Sequence, residues 1–454
     1  MSIKFGTDGW RAILGEEFNG ENVEKVTLAI GKYVADNFGM DKPILVGYDP
    51  RKSADEYAAF CANILKYKGF KVYFSSRVVP TPILAYNAKL MNACAIMFTA
   101  SHNPPEYLGM KFIPDYAGPA TSFITDAIIS NIDKGWKGGE NGSFHKIDFG
   151  GKYFEHLETL IDFDKIRELK TNIIYDGLYS ASIGYFDKLL ESKGIPFKSL
   201  HLYHDTEFGG GMPDPKPRFL KDLINMVKNH PNSIGVANDG DADRFGVINE
   251  KGEYVSPNEI IAILLKHLIE KGYTGSVVKT VGSSILIDVI AKHLGVDVIE
   301  TAVGFKHVGE AMRKYDVIIG GEESGGLSIK GHIPEKDGLL ANLLILEAMA
   351  YGGKSLVELQ EELHEIAGKF YTDRIDLKLD NQDEIKTILE KVKTFKTVGK
   401  YNITDIDTKD GVKLMLGNKT KILVRPSGTE PLLRIYFESD KEDKLNQLKD
   451  EFIL

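Results

Sequence analysis

Asp239, Asp241 and Asp243 stand at every second position of Asn238-Asp239-Gly240-Asp241-Ala242-Asp243-Arg244. Three carboxylates so close repel one another unless a cation sits among them. Oxygen ligands alone favour a hard divalent ion, with Mg²⁺ and Ca²⁺ first. A calcium EF-hand also opens D-x-D-x-D, but its sixth position needs Gly for a sharp turn, and here that position is Arg244. Its flanks must be helices, whereas 233–237 and 245–248 read as strands. The string therefore reads as a metal loop at the end of a strand, with a solvated acidic turn as the plain alternative.

A second polar loop, Thr99-Ala100-Ser101-His102-Asn103-Pro104-Pro105, follows the strand-like run 93–98. Ser101 beside His102 invites a hydrolase reading, but adjacent side chains are expected to diverge and the G-x-S-x-G elbow is missing. A turn serine is the plain alternative. Lys111, in Gly109-Met110-Lys111-Phe112, returns a cation toward the same loop mouth, which suits a serine that carries a phosphoryl group. Arg425-Pro426-Ser427-Gly428-Thr429-Glu430-Pro431, with Arg434 soon after, combines guanidinium groups, hydroxyls and a Gly, a set that suits phosphate. Glu322 and Ser324, in Gly321-Glu322-Glu323-Ser324-Gly325-Gly326, can accept and exchange hydrogen bonds with sugar hydroxyls; an acidic Gly turn is the alternative. Arg11, in Gly6-Thr7-Asp8-Gly9-Trp10-Arg11, is ambiguous alone. Gly353-Lys354-Ser355 mimics the end of a P-loop and fails, because Ala348 stands where the first Gly must be.

These loops need a scaffold, and 454 residues suggest three or four domains. Val23, Val26, Ile30, Tyr33 and Val34 mark a helix face, 43–48 a buried strand, and 53–68 a helix with Ser53 as N-cap and Gly69 as stop. Strands are expected at 70–74 and 93–98. The pattern restarts with a strand at 172–175, a helix from about Ser180 and a strand ending at the triple-aspartate loop. A third pass runs through a helix from Asn258, strand 277–281, a helix from Ser283, strands 296–300 and 316–319, and helix 337–351. The remainder changes character, with strand-like 371–379 and 422–425 around helix 383–393. The expected fold is three consecutive α/β mixed-sheet domains plus a smaller C-terminal α+β domain around a central cleft, divided as 1–145, 146–255, 256–366 and 367–454. Ligands gather beyond the carboxyl ends of strands in such sheets, so the loops can face one cleft.

Composition excludes other classes. The formal charge of −9 argues against nucleic acid or an anionic membrane as the main partner. Cys61 and Cys94 provide no disulfide framework and no C-x-x-C pair, which fits a reducing cytoplasm. The start has no apolar h-region, and the apolar stretch 339–350 is interrupted by Asn342 and Glu347, so a soluble, untargeted protein is expected.

Taken together, FGTDGWR, TASHNPP, DGDADR, GEESGG and RPSGTEP, in that order along the whole chain, resemble the α-D-phosphohexomutase superfamily. The resemblance implies four domains around a cleft, each contributing one loop. It implies that Ser101 is the phosphoserine and that Asp239, Asp241 and Asp243 bind Mg²⁺ together with an oxygen on Ser101. Glu322 and Ser324 would hold sugar hydroxyls, and Arg425, Ser427, Gly428, Thr429 and Arg434 the phosphate that is not reacting. Arg11, Lys111 and Arg244 match positions at the reacting centre, and Lys306, in Gly304-Phe305-Lys306-His307, matches a further active-site lysine. The implied activity is reversible transfer of a phosphoryl group between C1 and C6 of a hexose phosphate, with glucose 1,6-bisphosphate as intermediate and activator. Gly326 stands where the phosphomannomutase and phosphoglucosamine mutase branches usually place His, and His332 lies further on. With the Glu322-Glu323 pair and the Gly-Phe-Lys string, this tilts the reading toward glucose phosphates. A metal- and sugar-phosphate-binding protein without turnover, and a phosphatase using the same metal loop, are the rivals; oligomeric state is not readable from sequence.

Overall fold

The computed structural model describes residues 3–6, 9–379, 381–426 and 432–452. Its first sheet has seven strands in the spatial order Phe5–Gly6, Gly9–Ile13, Tyr107–Ile113, Cys94–Phe98, Ile44–Tyr48, Lys71–Ser75 and Ser143–Ile147. Ile44–Tyr48 is flanked in parallel by Lys71–Ser75 and Cys94–Phe98, and helices supply the crossovers. All five residues of Cys94–Phe98 are buried, as expected of a strand covered on both faces. Tyr107–Ile113 returns antiparallel to Cys94–Phe98, and Gly9–Ile13 pairs with it in turn. The Ser101 loop therefore projects from the carboxyl end of a central strand.

The second sheet orders Tyr254–Val255, Phe245–Ile248, Ser233–Asn238, Asn172–Asp176 and Phe197–Leu200; the third orders Val298–Thr301, Ser276–Thr280, Val317–Glu322 and Gly326–Ile329. In both, a strand runs parallel to its neighbour and then turns back through a polar loop into an antiparallel partner. Those turns carry the three aspartates and Glu322 with Ser324. The fourth sheet, Tyr371–Lys378, Leu432–Ser439, Thr420–Pro426, Val412–Met415 and Asp405–Asp407, is antiparallel throughout. The architecture is three α/β/α domains followed by a domain with an antiparallel sheet.

One apolar core runs through the first three units. It includes Met97, Val236, Phe245 and Ile319 and nearly all of the helix Gly338–Gly352. The fourth unit has its own core around Val412, Val424 and Phe437, so it packs as a separate body. Its joint to the third unit is polar. Glu438 accepts from the Ile285 backbone N–H at 3.0 Å and from the Ser284 hydroxyl at the start of helix Ile285–His293, and Lys421 donates to the carbonyl of Val281 at 3.2 Å.

Three local expectations change. Helix Ala54–Tyr67 begins where expected, but Ser53 takes a left-handed conformation, φ 57°, and makes no side-chain cap bond. The helix expected from Ser180 begins at Phe186, because the preceding segment is committed to the metal loop, Ala181 N–H donating to the Gly240 carbonyl at 2.9 Å. The strand expected at 296–300 is Val298–Thr301. Among the described residues no helix is long and apolar enough to cross a membrane.

Candidate active site

The seam between the first and second sheets brings Ser101 against the aspartate loop. Ser101 is fully buried in the left-handed region at φ 50°, and its Oγ donates to Asp239 Oδ2 at 2.7 Å. Gly240 makes the approach possible, since a Cβ there would stand 2.4 Å from the Ser101 carbonyl oxygen. On the other flank a Cβ on Gly338 would meet the Arg244 carbonyl at 2.2 Å, so the amino end of helix Gly338–Gly352 also abuts the metal loop.

Asp239, Asp241 and Asp243 are all fully buried, with one carboxylate oxygen from each within 4.8 Å of the others. Burial, then Asp241 and Asp243, push the Asp239 carboxyl well above its ordinary range. Asp239 Oδ1 accepts the Arg244 backbone N–H at 3.0 Å. Asp241 Oδ2 accepts the Thr81 hydroxyl at 2.6 Å and Lys111 Nζ at 2.7 Å, and Lys111 also reaches Asp243 Oδ2 at 2.8 Å. Asp243 Oδ1 is buried with no hydrogen bond among the described residues. A dense set of carboxylate oxygens, one of them lacking a donor and three of them gathered, fits a small hard cation. The triad fits a metal site of the kind the sequence suggested.

The structure brings several other expected residues to this centre. Arg11 is on the strand Gly9–Ile13, and its guanidinium donates to Asn103 Oδ1 at 2.8 Å. Arg244 is beside Asp243, 3.8 Å from Nε to Oδ1; burial works against its charge, but Asp243, Asp239 and Glu322 hold it firmly protonated. Glu322 is buried at the end of Val317–Glu322 and accepts the Ser324 hydroxyl. Burial raises the Glu322 carboxyl, against the pull of Lys336. His102 departs from the expected divergence of adjacent side chains, because the left-handed backbone at Ser101 turns the pair together, Ser101 Oγ lying 3.3 Å from His102 Nδ1. Burial and four nearby cations, Arg244, Arg11, Lys216 and Lys111, hold its imidazole well below the usual range.

Other expected residues stand apart from the aspartates. Lys306 Nζ donates to Ser122 Oγ at 2.9 Å, joining the third unit to the first at the rim. Arg425 and Arg434 are cross-strand partners on the fourth sheet. Arg425 donates to Asp410 Oδ2 at 2.7 Å, while Arg434 Nε is buried with no hydrogen-bond partner among the described residues, an arrangement able to take an anion. Ser427, Gly428 and Thr429 lie outside the described residues. His332 serves a seam and not the cleft: its Nε2 contacts Asp337 Oδ2 at 2.9 Å and its Nδ1 contacts His156 Nε2 at 3.0 Å.

Sequence reasoning passed over Lys336, Thr81 and Arg51. Lys336 is buried with Nζ 3.2 Å from Asp243 Oδ2, so a second lysine joins the triad. Its signal was a charged pair, Glu335-Lys336, directly before the Asp337 cap of a long apolar helix. Thr81 opens the helix Thr81–Leu90, and the threonine gave no signal of its own. Arg51 follows the carboxyl end of Ile44–Tyr48, where the same strand-end rule that singled out Ser101 applies.

Comparison with known proteins accords with this geometry. The four domain profiles described as phosphoglucomutase/phosphomannomutase domains I, II, III and C-terminal match residues 2–137, 151–252, 256–366 and 375–454 in order. A probable phosphoglucosamine mutase of Methanopyrus kandleri is 32% identical, over 100% of this chain and 97% of its own length. A phosphoglucomutase/phosphomannomutase of Thermococcus kodakarensis is 31% identical, over 98% and 97%. A crystal structure from Thermus thermophilus superposes with TM-score 0.88 at 30% identity, covering 99% of this chain and 98% of that one. With its four domains in family order and an Asp triad closing on a buried serine, this chain belongs to the phosphoglucomutase/phosphomannomutase family of the α-D-phosphohexomutase superfamily, and it is a phosphohexomutase of that type.

Proposed function

We propose that the protein interconverts glucose 1-phosphate and glucose 6-phosphate through a phosphorylated Ser101 and glucose 1,6-bisphosphate, with Mg²⁺ held by Asp239, Asp241 and Asp243 together with an oxygen on Ser101. The observation that carries the reading is the 2.7 Å contact of Ser101 Oγ with Asp239, inside a triad that two lysines already approach. Mg²⁺, when bound, would offset charge on the transferring phosphoryl group.

The rest is work for the protein's own residues. In the first half-reaction the bond between Ser101 Oγ and phosphorus breaks as the sugar's free hydroxyl forms a new bond to phosphorus, and the proton that this hydroxyl loses is matched by one gained at Ser101 Oγ. The bisphosphate then turns around, and its other phosphoryl group passes back to Ser101. Two phosphates bring up to about −2 each, which with three carboxylates makes about −7 in one cleft. Arg11, Lys111, Arg244, Lys306, Arg425 and Arg434 are cations that would offset this, and buried Lys336 adds a seventh. Glu322 and Ser324 bind sugar hydroxyls in either orientation. Arg425 and Arg434, with Ser427, Gly428 and Thr429, hold the distal phosphate, and Lys306 closes the rim. Lys111 is the group placed to move the hydroxyl proton. Lys111→Met is expected to keep or tighten Mg²⁺ binding, since a competing cation leaves Asp241 and Asp243, and to lower kcat by about 10²–10⁴-fold; calorimetric Mg²⁺ titration beside turnover checks both.

Gly326, the Gly304-Phe305-Lys306 string and the Glu322-Glu323 pair favour glucose. The similarity to a phosphoglucosamine mutase at the same level of identity favours glucosamine phosphate as the second reading. Turnover of the α-1-phosphates of glucose, mannose and glucosamine, each primed with its 1,6-bisphosphate, tests the choice. Glucose is expected to show the highest kcat/KM, and a higher value for glucosamine would move the assignment. A cytoplasmic setting and the domain limits 1–145, 146–255, 256–366 and 367–454 belong to the same proposal.

A further inference from the structure

We propose that Arg51 is the positioning residue that keeps Ser101 in register with the metal loop, so that phosphoryl transfer depends on it although it touches no reacting atom. The inference rests on the phosphoserine reading above and concerns a residue outside all five of the loops that carry the family resemblance.

Arg51 is 3% exposed, and its guanidinium is spent almost wholly on one turn of chain. Nη2 donates to the carbonyls of Ser101 and Asn103, both at 2.7 Å, and Nη1 to those of Pro104 at 2.8 Å and Tyr107 at 3.0 Å. Nε faces Asp49 Oδ2 at 3.2 Å. Four backbone carbonyls of the Ser101 loop therefore have one planar donor group in common. Only a guanidinium has enough N–H groups, in a fixed fork, to serve them all; an ammonium has three and no such geometry.

A second chain of bonds reaches Ser101 from its other side. Asp49 Oδ2 accepts the Thr99 hydroxyl at 2.6 Å, and Thr99 Oγ1 accepts the Ser101 backbone N–H at 2.8 Å. Arg51 thus holds the carbonyl of Ser101 while its own counter-ion, through Thr99, holds the amide. Fixing the peptides on both sides is how a non-glycine residue is kept at φ 50°. In that conformation its Oγ meets Asp239 and its carbonyl oxygen meets Gly240.

The same guanidinium is roofed from the second unit by Phe208, whose ring centroid lies 4.9 Å away and which is 4% exposed. Arg51 consequently sits in the joint between the unit that carries the serine and the unit that carries the aspartates. A residue that merely stabilised the first sheet would have no reason to gather the carbonyls of the loop that carries Ser101 to the metal site.

Arg51→Lys, which keeps the charge beside Asp49, and Thr99→Val, which cuts only the amide arm, test the proposal in the full-length protein. Expected for Arg51→Lys is a fall in kcat of about 100-fold with KM within about 3-fold, the signature of misplaced reacting groups. Phosphorylation of Ser101 by glucose 1,6-bisphosphate should slow in parallel, while the three aspartates still bind Mg²⁺. Thr99→Val should show the same pattern more weakly. A kcat per folded molecule within about 3-fold of the unaltered protein, with only the melting temperature lowered, would overturn the proposal, because a purely structural role predicts that outcome. If Arg51→Lys does not fold, unimpaired kcat and unimpaired Ser101 phosphorylation in Thr99→Val overturn it. Failure of the unaltered protein to phosphorylate Ser101 or to turn over would instead remove the phosphoserine reading, and the proposal with it.

Discussion

Replacing Ser101 with alanine is expected to abolish mutase turnover, by at least about 10⁴-fold, while leaving the protein folded and able to bind Mg²⁺. The size follows from the absence of a substitute: a residue that accepts and returns the transferred group cannot be bypassed by better positioning elsewhere. The fold should survive because the substitution removes one oxygen from a buried turn and leaves its backbone bonds intact. The Arg51 bond to the residue 101 carbonyl and the Thr99 bond to its amide both involve main-chain atoms. Alanine tolerates the left-handed backbone about as well as serine does. Intact-mass measurement beside the coupled assay checks the result. Residual turnover within about tenfold of the unaltered protein would remove Ser101 from the reaction. A binding protein without turnover predicts no difference between the two forms, so the same experiment separates the rival.

The second large effect is expected at the metal loop, and it has opposite signs with and without the ion. Asp239 is buried against Asp241 and Asp243, and its raised carboxyl reflects the cost of keeping that charge there. Asp239→Asn removes one of three repelling charges at nearly constant volume, and its amide oxygen can still accept from Arg244 or Ser101. Without Mg²⁺ the variant should therefore melt at or above the temperature of the unaltered protein. With Mg²⁺ the order should reverse. An ion present at one hundred times its dissociation constant adds about 2.7 kcal/mol to the protein that binds it, and the variant should forfeit most of this. Affinity is expected to fall by at least about 100-fold, and turnover with it, because this change exceeds the effect of altering groups that only support a ligand. Thermal melts across a Mg²⁺ series read both signs. An unchanged Mg²⁺ response in the variant would remove the triad as the metal site.

How far the chain discloses this arrangement differs by element. The aspartate string and the Ser101 loop were legible because each follows a short apolar run, 234–237 and 93–98, and strand ends in α/β sheets are where ligands collect. The change of class to an antiparallel sheet in the last part of the chain was legible because the helix-and-parallel-strand alternation stops before it. What escaped was set by contacts between distant segments. The start of the helix near Ser180 moved to Phe186 because Ala181 is bonded to Gly240, some sixty positions on, and nothing local announces such a partner. Lys336 had a local signal in its charged pair with Glu335, but its place beside Asp243 depends on how the amino end of helix Gly338–Gly352 meets the metal loop. His332 was noted only as lying beyond Gly326; a buried bond to Asp337 and a contact with His156 commit it to an inter-unit seam. Arg51 carried a usable clue, a charged residue at a strand end, but an arginine gives no hint in sequence that it will bind four carbonyls.

The central claim is that Ser101 carries the phosphoryl group that the sugar exchanges. Its most direct test is to incubate the protein with Mg²⁺ and glucose 1,6-bisphosphate bearing labelled phosphorus, map the label by peptide, and then chase with unlabelled glucose 6-phosphate. Label is expected on Ser101 alone, leaving at a rate no slower than turnover and reappearing in glucose 1,6-bisphosphate. Label that never reaches Ser101, or that stays there through the chase while turnover proceeds, would contradict it.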